Sequence, residues 1–160
     1  MHIAPEPCLS RQFRSLPHIA YSAADLRAAP SVEQMDITNI GYPPETFDIV
    51  FCSHVLEHVE NDRKAISEFH RVLTAGGWAI LMVPIAGKKT YEDPRIKDPH
   101  QRQLHFGQWD HVRQYGTDFA SRLEQRGMKV NCFHPKNIAT GAELVQMAIS
   151  KPGMIFFCRK

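Results

Sequence analysis

No two of the four cysteines stand close enough to form a CxxC pair. Cys8, Cys52, Cys132 and Cys158 are scattered along the chain. Those in predicted strands are expected to be buried, reduced thiols of a cytoplasmic protein. No apolar run approaches the ~20 residues of a membrane span, so no membrane association is expected. The first twenty residues hold charges and three prolines, without the long apolar stretch of a secretion signal. No block of like charges occurs, and the net charge is only +2. That balance argues against a nucleic-acid partner. Internal repeats and low-complexity segments are also missing. The chain has 160 residues, 43% hydrophobic and 22% charged. Such a chain can bury a real core, and 1–160 reads as one domain. The oligomeric state cannot be read from it.

What is present is concentrated between Phe47 and Pro84. Phe47 to Cys52 is a short apolar run rich in β-branched and aromatic residues, as a buried strand requires. Ser53-His54 breaks it. From Val55 the spacing turns helical: Leu56, Val59, Ala65, Ile66, Phe69, Val72 and Leu73 share one side. Gly76-Gly77 is expected to stop that helix. Trp78 to Val83 is a second buried-type strand, closed by Pro84. Strand, helix and strand make a βαβ unit with a right-handed crossover, the building block of parallel sheets. Ligands sit outside the carboxyl ends of such strands, which is where Ser53, His54, Glu57 and His58 fall.

The flanks fit the same plan. Met1 to Ala4 reads as the tail of a strand. A helix is expected from Cys8 to about Leu16, with Pro7 at its start. Ala20 to Ala24 and Met35 to Ile37 read as further strands. Ile85 to Gln114 is too long for a plain connection and is expected to act as a lid or substrate insert. A helix from about Asp118 to Arg126, a strand at Lys129 to Phe133, a connector from His134 to Lys151 and a last strand at Met154 to Arg159 complete the chain.

These segments resemble a known family. Asp25, Met35-Asp36-Ile37, the run FDIVFCS at 47–53, HVLEHV at 54–59 and RVLTAGGWAILMVP at 71–84 are similar to class I S-adenosylmethionine-dependent methyltransferases, nearest to the type 11 subgroup. The resemblance is carried by Met1 to Pro84, and the final αββ portion follows it more loosely. It implies an α/β, Rossmann-like, doubly wound and mostly parallel sheet with an antiparallel last strand. It also implies S-adenosylmethionine as cofactor and a small-molecule acceptor.

The site residues follow from that resemblance. Asp25 lies 21 positions after Ala4, near the spacing of a ribose-binding acid in Rossmann-like folds. Its alternative is a helix cap or a solvated loop carboxylate. The resemblance places Asp36 and the Ile37 backbone at the adenine; the alternative for Asp36 is a turn bonding its own backbone. Ser53 and His54 would meet the reacting end. The first turn departs from the family. It reads Ile3-Ala4-Pro5-Glu6-Pro7-Cys8, without the family's glycines, and its two prolines offer no N–H. Either this turn, through Ala4 and Glu6, is a variant that still binds cofactor, or the chain is an N-terminally shortened form. His54 is the expected catalytic base, having a suitable ordinary pKa. His54, Glu57 and His58 also resemble the acid-rich metal rim of ubiquinone-pathway O-methyltransferases. However, Glu57 can be explained by a helix dipole, so no metal is expected. His111, Arg113 and Tyr115 are the expected substrate-side residues.

Two functions compete at this level. One is methyl transfer to a small oxygen, nitrogen or carbon acceptor, a displacement that needs alignment more than a strong acid or base. The other is a non-catalytic binding or scaffold domain on the same fold, favoured by the glycine-free first turn.

Overall fold

A computed structural model describes residues 1–146 and 153–160. Its centre is a pair of parallel strands, β4 (Phe47–Ser53) and β5 (Leu73–Met82), joined by helix α2 (Asp62–Val72). The helix forms because Asn61 caps it, its side chain accepting from the Lys64 N–H at 3.0 Å. Ala65, Ile66, Phe69 and Val72 then bury one face completely. Full burial of such side chains stabilises by about 1.5–3 kcal/mol each for the larger ones.

The helix stops earlier than its glycines suggest. It ends at Val72, and Leu73 already has extended backbone (φ −69°, ψ 137°). Gly76 and Gly77 instead serve a bulge. Between Phe47↔Leu73 and Ile49↔Trp78 the pairing advances two residues on β4 and five on β5. Gly76 takes φ 79° at this point, a conformation glycine adopts without a Cβ penalty. Gly77 is needed for space: a Cβ there would lie 3.0 Å from the Asp48 carbonyl oxygen.

The remaining strands extend the sheet on both sides. β1 (His2–Ile3) pairs with β4 and with β2 (Ala23–Asp25), and β2 pairs with β3 (Glu33–Gln34), all in parallel. On the other side β9 (Ile155–Arg159) runs antiparallel to both β5 and β8 (Lys129–Phe133). The order is β3-β2-β1-β4-β5-β9-β8. The expected doubly wound sheet with an antiparallel last strand is therefore present. β3 lies two residues before the expected Met35–Ile37. Those apolar residues are buried in the turn that follows it, and the paired residues themselves are exposed.

One face of the sheet carries the core. Val50, Cys52, Ala79 and Leu81 are at most 1% exposed and pack with α2 and with α4 (Phe119–Glu124). The alternate residues Ile49, Phe51, Trp78 and Ile80 line a cleft of about 720 Å³ on the opposite face, beside α1 (Pro7–Ser15). The period of two along a strand produces this division. Cys52 and Cys158 are buried, and burial pushes the Cys158 thiol up to about 12. Cys132, although on a strand, is exposed.

The segment after β5 is not a bare loop. β6 (Tyr91–Glu92) and β7 (Arg113–Gln114) form a small antiparallel ribbon, and α3 (Pro99–Phe106) lies between them. Asp98 caps α3 through the Gln101 N–H at 2.9 Å, and Gly107 ends it at φ 87°. The connector after β8 holds a 3₁₀ turn (Pro135–Asn137) and α5 (Gly141–Gln146); residues 147–151 of the expected stretch lie outside the described residues.

Candidate active site

The register of the sheet places the expected cofactor residues in one row. His2 and Ile3 pair with Ala23 and Ala24 on one side and with Phe51 and Cys52 on the other. Ala4, Asp25 and Ser53 are the next residues on these three strands. The row continues outward to β3, because Asp25 pairs with Gln34 and its carbonyl accepts from the Met35 N–H at 2.8 Å. Neighbouring strands are ~4.8 Å apart, so the row from Ser53 to Asp36 spans more than ~10 Å. That length suits a nucleoside.

Two non-glycine residues on this edge have positive φ: Ala4 at 47° and His54 at 53°. Such strain costs on the order of 1–3 kcal/mol and gathers at functional sites. Ala4 thus makes the kind of turn that a glycine would ordinarily supply. Its N–H continues the ladder, donating to the Ala24 carbonyl at 2.8 Å.

Asp25 and Asp36 are held in the same way. One oxygen of Asp25 accepts from the Arg27 N–H at 3.0 Å, and one of Asp36 from the Thr38 N–H at 2.8 Å. Each local bond orients a carboxylate. The second oxygen of each makes no hydrogen bond among the described residues. Leu26, beside Asp25, is 69% exposed and offers apolar surface to a flat ring. Nothing in its sequence position distinguishes it, because single exposed leucines are common. Glu6 is tied down: its Oε2 lies 2.8 Å from His2 Nε2, while His2 Nδ1 meets the Tyr21 hydroxyl at 2.9 Å.

His54 and Glu57 form a second group. Glu57 sits in a short 3₁₀ turn, Leu56–His58, rather than in the first turn of a long helix. It is 1% exposed, so the helix-dipole explanation of this residue does not apply. Its Oε1 lies 3.3 Å from His54 Nδ1, and its Oε2 is buried without a hydrogen-bond partner among the described residues. The His54 side chain remains 61% exposed. The hydrogen bond with Glu57 raises the His54 pKa above its ordinary value, against the opposing effect of partial burial.

The three substrate-side expectations diverge. His111 is buried, with its ring 4.7 Å from that of His58 and nearly perpendicular to it. Arg113 is 4% exposed. It donates to the main-chain carbonyls of Leu56, Val59 and Glu60 and to Glu92 Oε2. Tyr115 is fully buried and donates to Asp62 Oδ2 at 2.7 Å. Arg122 joins them, donating to Asp62 at 2.7 Å and to Glu92 at 3.0 Å. These groups pin β7 and α4 to the start of α2. Partners from 21 to 60 positions apart give no sequence signal.

Comparison with known proteins points one way. Residues 10–81 match the model of a family described as a methyltransferase domain. The chain is 27% identical over 105 residues to the uncharacterized methyltransferase YcgJ of Bacillus subtilis, covering 60% of this chain and 42% of that protein. It spans less than half the length of the curated relatives it matches. Among solved structures it resembles an S-adenosylmethionine-dependent methyltransferase from Mesorhizobium loti (TM-score 0.55, 15% identity, 87% of this chain and 81% of that one). It also resembles the 1,6-didemethyltoxoflavin-N1-methyltransferase of Burkholderia thailandensis, solved with 1,6-didemethyltoxoflavin and S-adenosylhomocysteine (TM-score 0.57, 13% identity, 86% and 60%). The resemblance read from the sequence is borne out, and the fold is the class I methyltransferase fold.

Proposed function

Because residues 10–81 match a methyltransferase family on a class I methyltransferase sheet, we propose that this chain transfers a methyl group from S-adenosylmethionine to a small-molecule acceptor. One observation carries the reading: Ala4, Asp25 and Asp36 line up along the carboxyl edge, with a carboxylate oxygen left over at each acid. The donor set fits the cofactor. Asp25 would accept the ribose hydroxyls, Asp36 the adenine amino group and the Ile37 N–H a ring nitrogen. Leu26 supplies a flat apolar wall. Ala4 and Ser53 would flank the methionine end.

Bound there, the cofactor supplies an electrophilic methyl group on a cationic sulfonium. The protein's part is to align the acceptor and keep water out. His54 stands at the end of β4 with Nδ1 held by Glu57, which leaves Nε2 to take a proton from the acceptor. The segment 85–114 would form the acceptor-side wall, with the buried His111 set against His58. The Burkholderia neighbour, named as a 1,6-didemethyltoxoflavin-N1-methyltransferase, supports a small-molecule acceptor rather than a polymer.

A second reading is a binding domain without catalysis. It is favoured by Pro5 and Pro7, which take N–H donors out of the first turn, and by Glu6, which is engaged by His2. Calorimetry of the full chain with S-adenosylhomocysteine decides between them. Saturable one-to-one binding that Asp25→Ala weakens supports the methyltransferase. No binding leaves the scaffold.

A further inference from the structure

We propose that Glu57, His58 and His111 form a site for a divalent transition-metal ion of the zinc class. A ring nitrogen from each histidine and a carboxylate oxygen of Glu57 all lie within 4.8 Å of one another. A tetrahedral zinc ion with bonds of ~2.0–2.1 Å sets its donors about 3.4 Å apart. The donors therefore need to draw in by little more than an ångström. Two histidines and one carboxylate are a competent set for such an ion, and three protein ligands leave a fourth position open.

The surroundings supply the independent argument. Glu57 is 1% exposed and its Oε2 has no hydrogen-bond partner among the described residues. A bare buried carboxylate oxygen is costly, since it has left water and gained nothing. Among the described residues, the only hydrogen-bond partner of the other oxygen is His54, at 3.3 Å. A cation satisfies this carboxylate; an apolar neighbour cannot.

Both histidines are also prepared in the manner of ligands. His111 Nδ1 is 3.2 Å from the Phe106 carbonyl oxygen, which accepts and so requires the proton on Nδ1. His58 Nδ1 is 3.3 Å from Asp110 Oδ2, a contact that favours the same. In that tautomer Nε2 of each neutral ring is the nitrogen able to bind an ion. Metal-bound histidines commonly have their second nitrogen held by a carboxylate or a main-chain carbonyl, fixing tautomer and orientation. The third ligand is fixed by the backbone: the Val112 N–H donates to the Glu57 carbonyl at 2.9 Å, bringing His111 alongside. An ion here would join the turn after β4 to the segment after β5.

The test uses the full chain stripped with chelator, with Cys8→Ser and Cys132→Ser removing the exposed thiols. Titration with Zn²⁺ by calorimetry should show one saturable site, and the melting temperature should rise with one equivalent of Zn²⁺. Co²⁺ should give visible absorption bands without thiolate charge transfer. Glu57→Gln and His58→Asn should each weaken binding by about tenfold or more, and His111→Asn likewise. Absence of saturable binding in the Cys8→Ser/Cys132→Ser protein overturns the proposal, as does binding of unchanged strength when Glu57→Gln or His111→Asn is added and the protein stays folded. No methyl acceptor enters these measurements, so their failure is separate from failure of the methyltransferase reading.

Discussion

Ala4 and His54 share a strained backbone geometry at the ends of two paired strands. Their φ angles are 47° and 53°, and each follows the last residue of its strand, β1 or β4. The pairing Ile3↔Cys52 sets the two turns beside each other.

Relieving that strain at Ala4 should not harm binding. Ala4→Gly is expected to be neutral or to stabilise by up to about 1 kcal/mol, with cofactor affinity unchanged within a few-fold. Ala4→Val should destabilise by about 1–2 kcal/mol, because β-branched residues tolerate this region worst. Equal melting temperatures for all three proteins would show that the turn relaxes in solution.

Asp25→Ala should weaken S-adenosylhomocysteine binding by about 1.5–3 kcal/mol, the range for charge-assisted hydrogen bonds. The protein should stay folded, since only one local bond to the Arg27 N–H is lost. Calorimetry reads the difference, and unchanged affinity would remove Asp25 from the ribose.

His54→Ala should lower turnover by about a hundredfold or more and leave cofactor affinity within a few-fold. Once an acceptor has been found by a methyl-transfer screen, the split between kcat and binding is the measurement. An equal loss of cofactor binding would mean that His54 holds the cofactor instead.

Stability should depend on acid through Glu92. Burial alone would raise the pKa of its carboxyl. The hydrogen bonds and charges of Arg122 and Arg113 outweigh burial and hold it at about 2, below the ordinary 4.5. A folded-state pKa below the unfolded one gives stability that is complete above the unfolded value and lost as pH falls toward the folded one. Thermal melts between about pH 5 and about pH 2 should therefore fall more steeply for the wild type than for Glu92→Gln. Parallel curves would place Glu92 outside the network in solution.

Amide exchange should be uneven across 85–114. The Val112 N–H is bonded to the Glu57 carbonyl and the Ala86 N–H to that of Tyr115. These amides should exchange slowly even without ligand, while exposed positions near Lys97 exchange quickly. Uniformly fast exchange would show the whole segment detaching.

The parts legible in the sequence are those governed by near neighbours. Val50 and Cys52 on β4, and Ala65, Ile66, Phe69 and Val72 on α2, announce themselves by their spacing. Asp25 and Asp36 are singled out by the family resemblance rather than by local spacing. The end of α2 is misread because Gly76 and Gly77 look like a helix stop while serving a bulge against Asp48. β3 is misplaced because its pairing uses backbone alone, and the apolar Met35 and Ile37 belong to the turn. The approach of His111 to His58 and the Asp62–Arg122–Glu92 chain depend on tertiary packing across distant segments, which no local pattern encodes.

The ribbon of β6 and β7 means that residues 93–112 leave and return at one place. The sheet, Asp25 and Asp36 take no part in that excursion. Doubling such a loop costs only about 0.6 kcal/mol in closure entropy. The stretch can therefore be lengthened, shortened or exchanged as a cassette without disturbing Asp25 and Asp36. Acceptor choice would then evolve separately from cofactor choice. His111 travels with the cassette, so a relative that replaced it would keep Glu57 and His58 but lose their third companion.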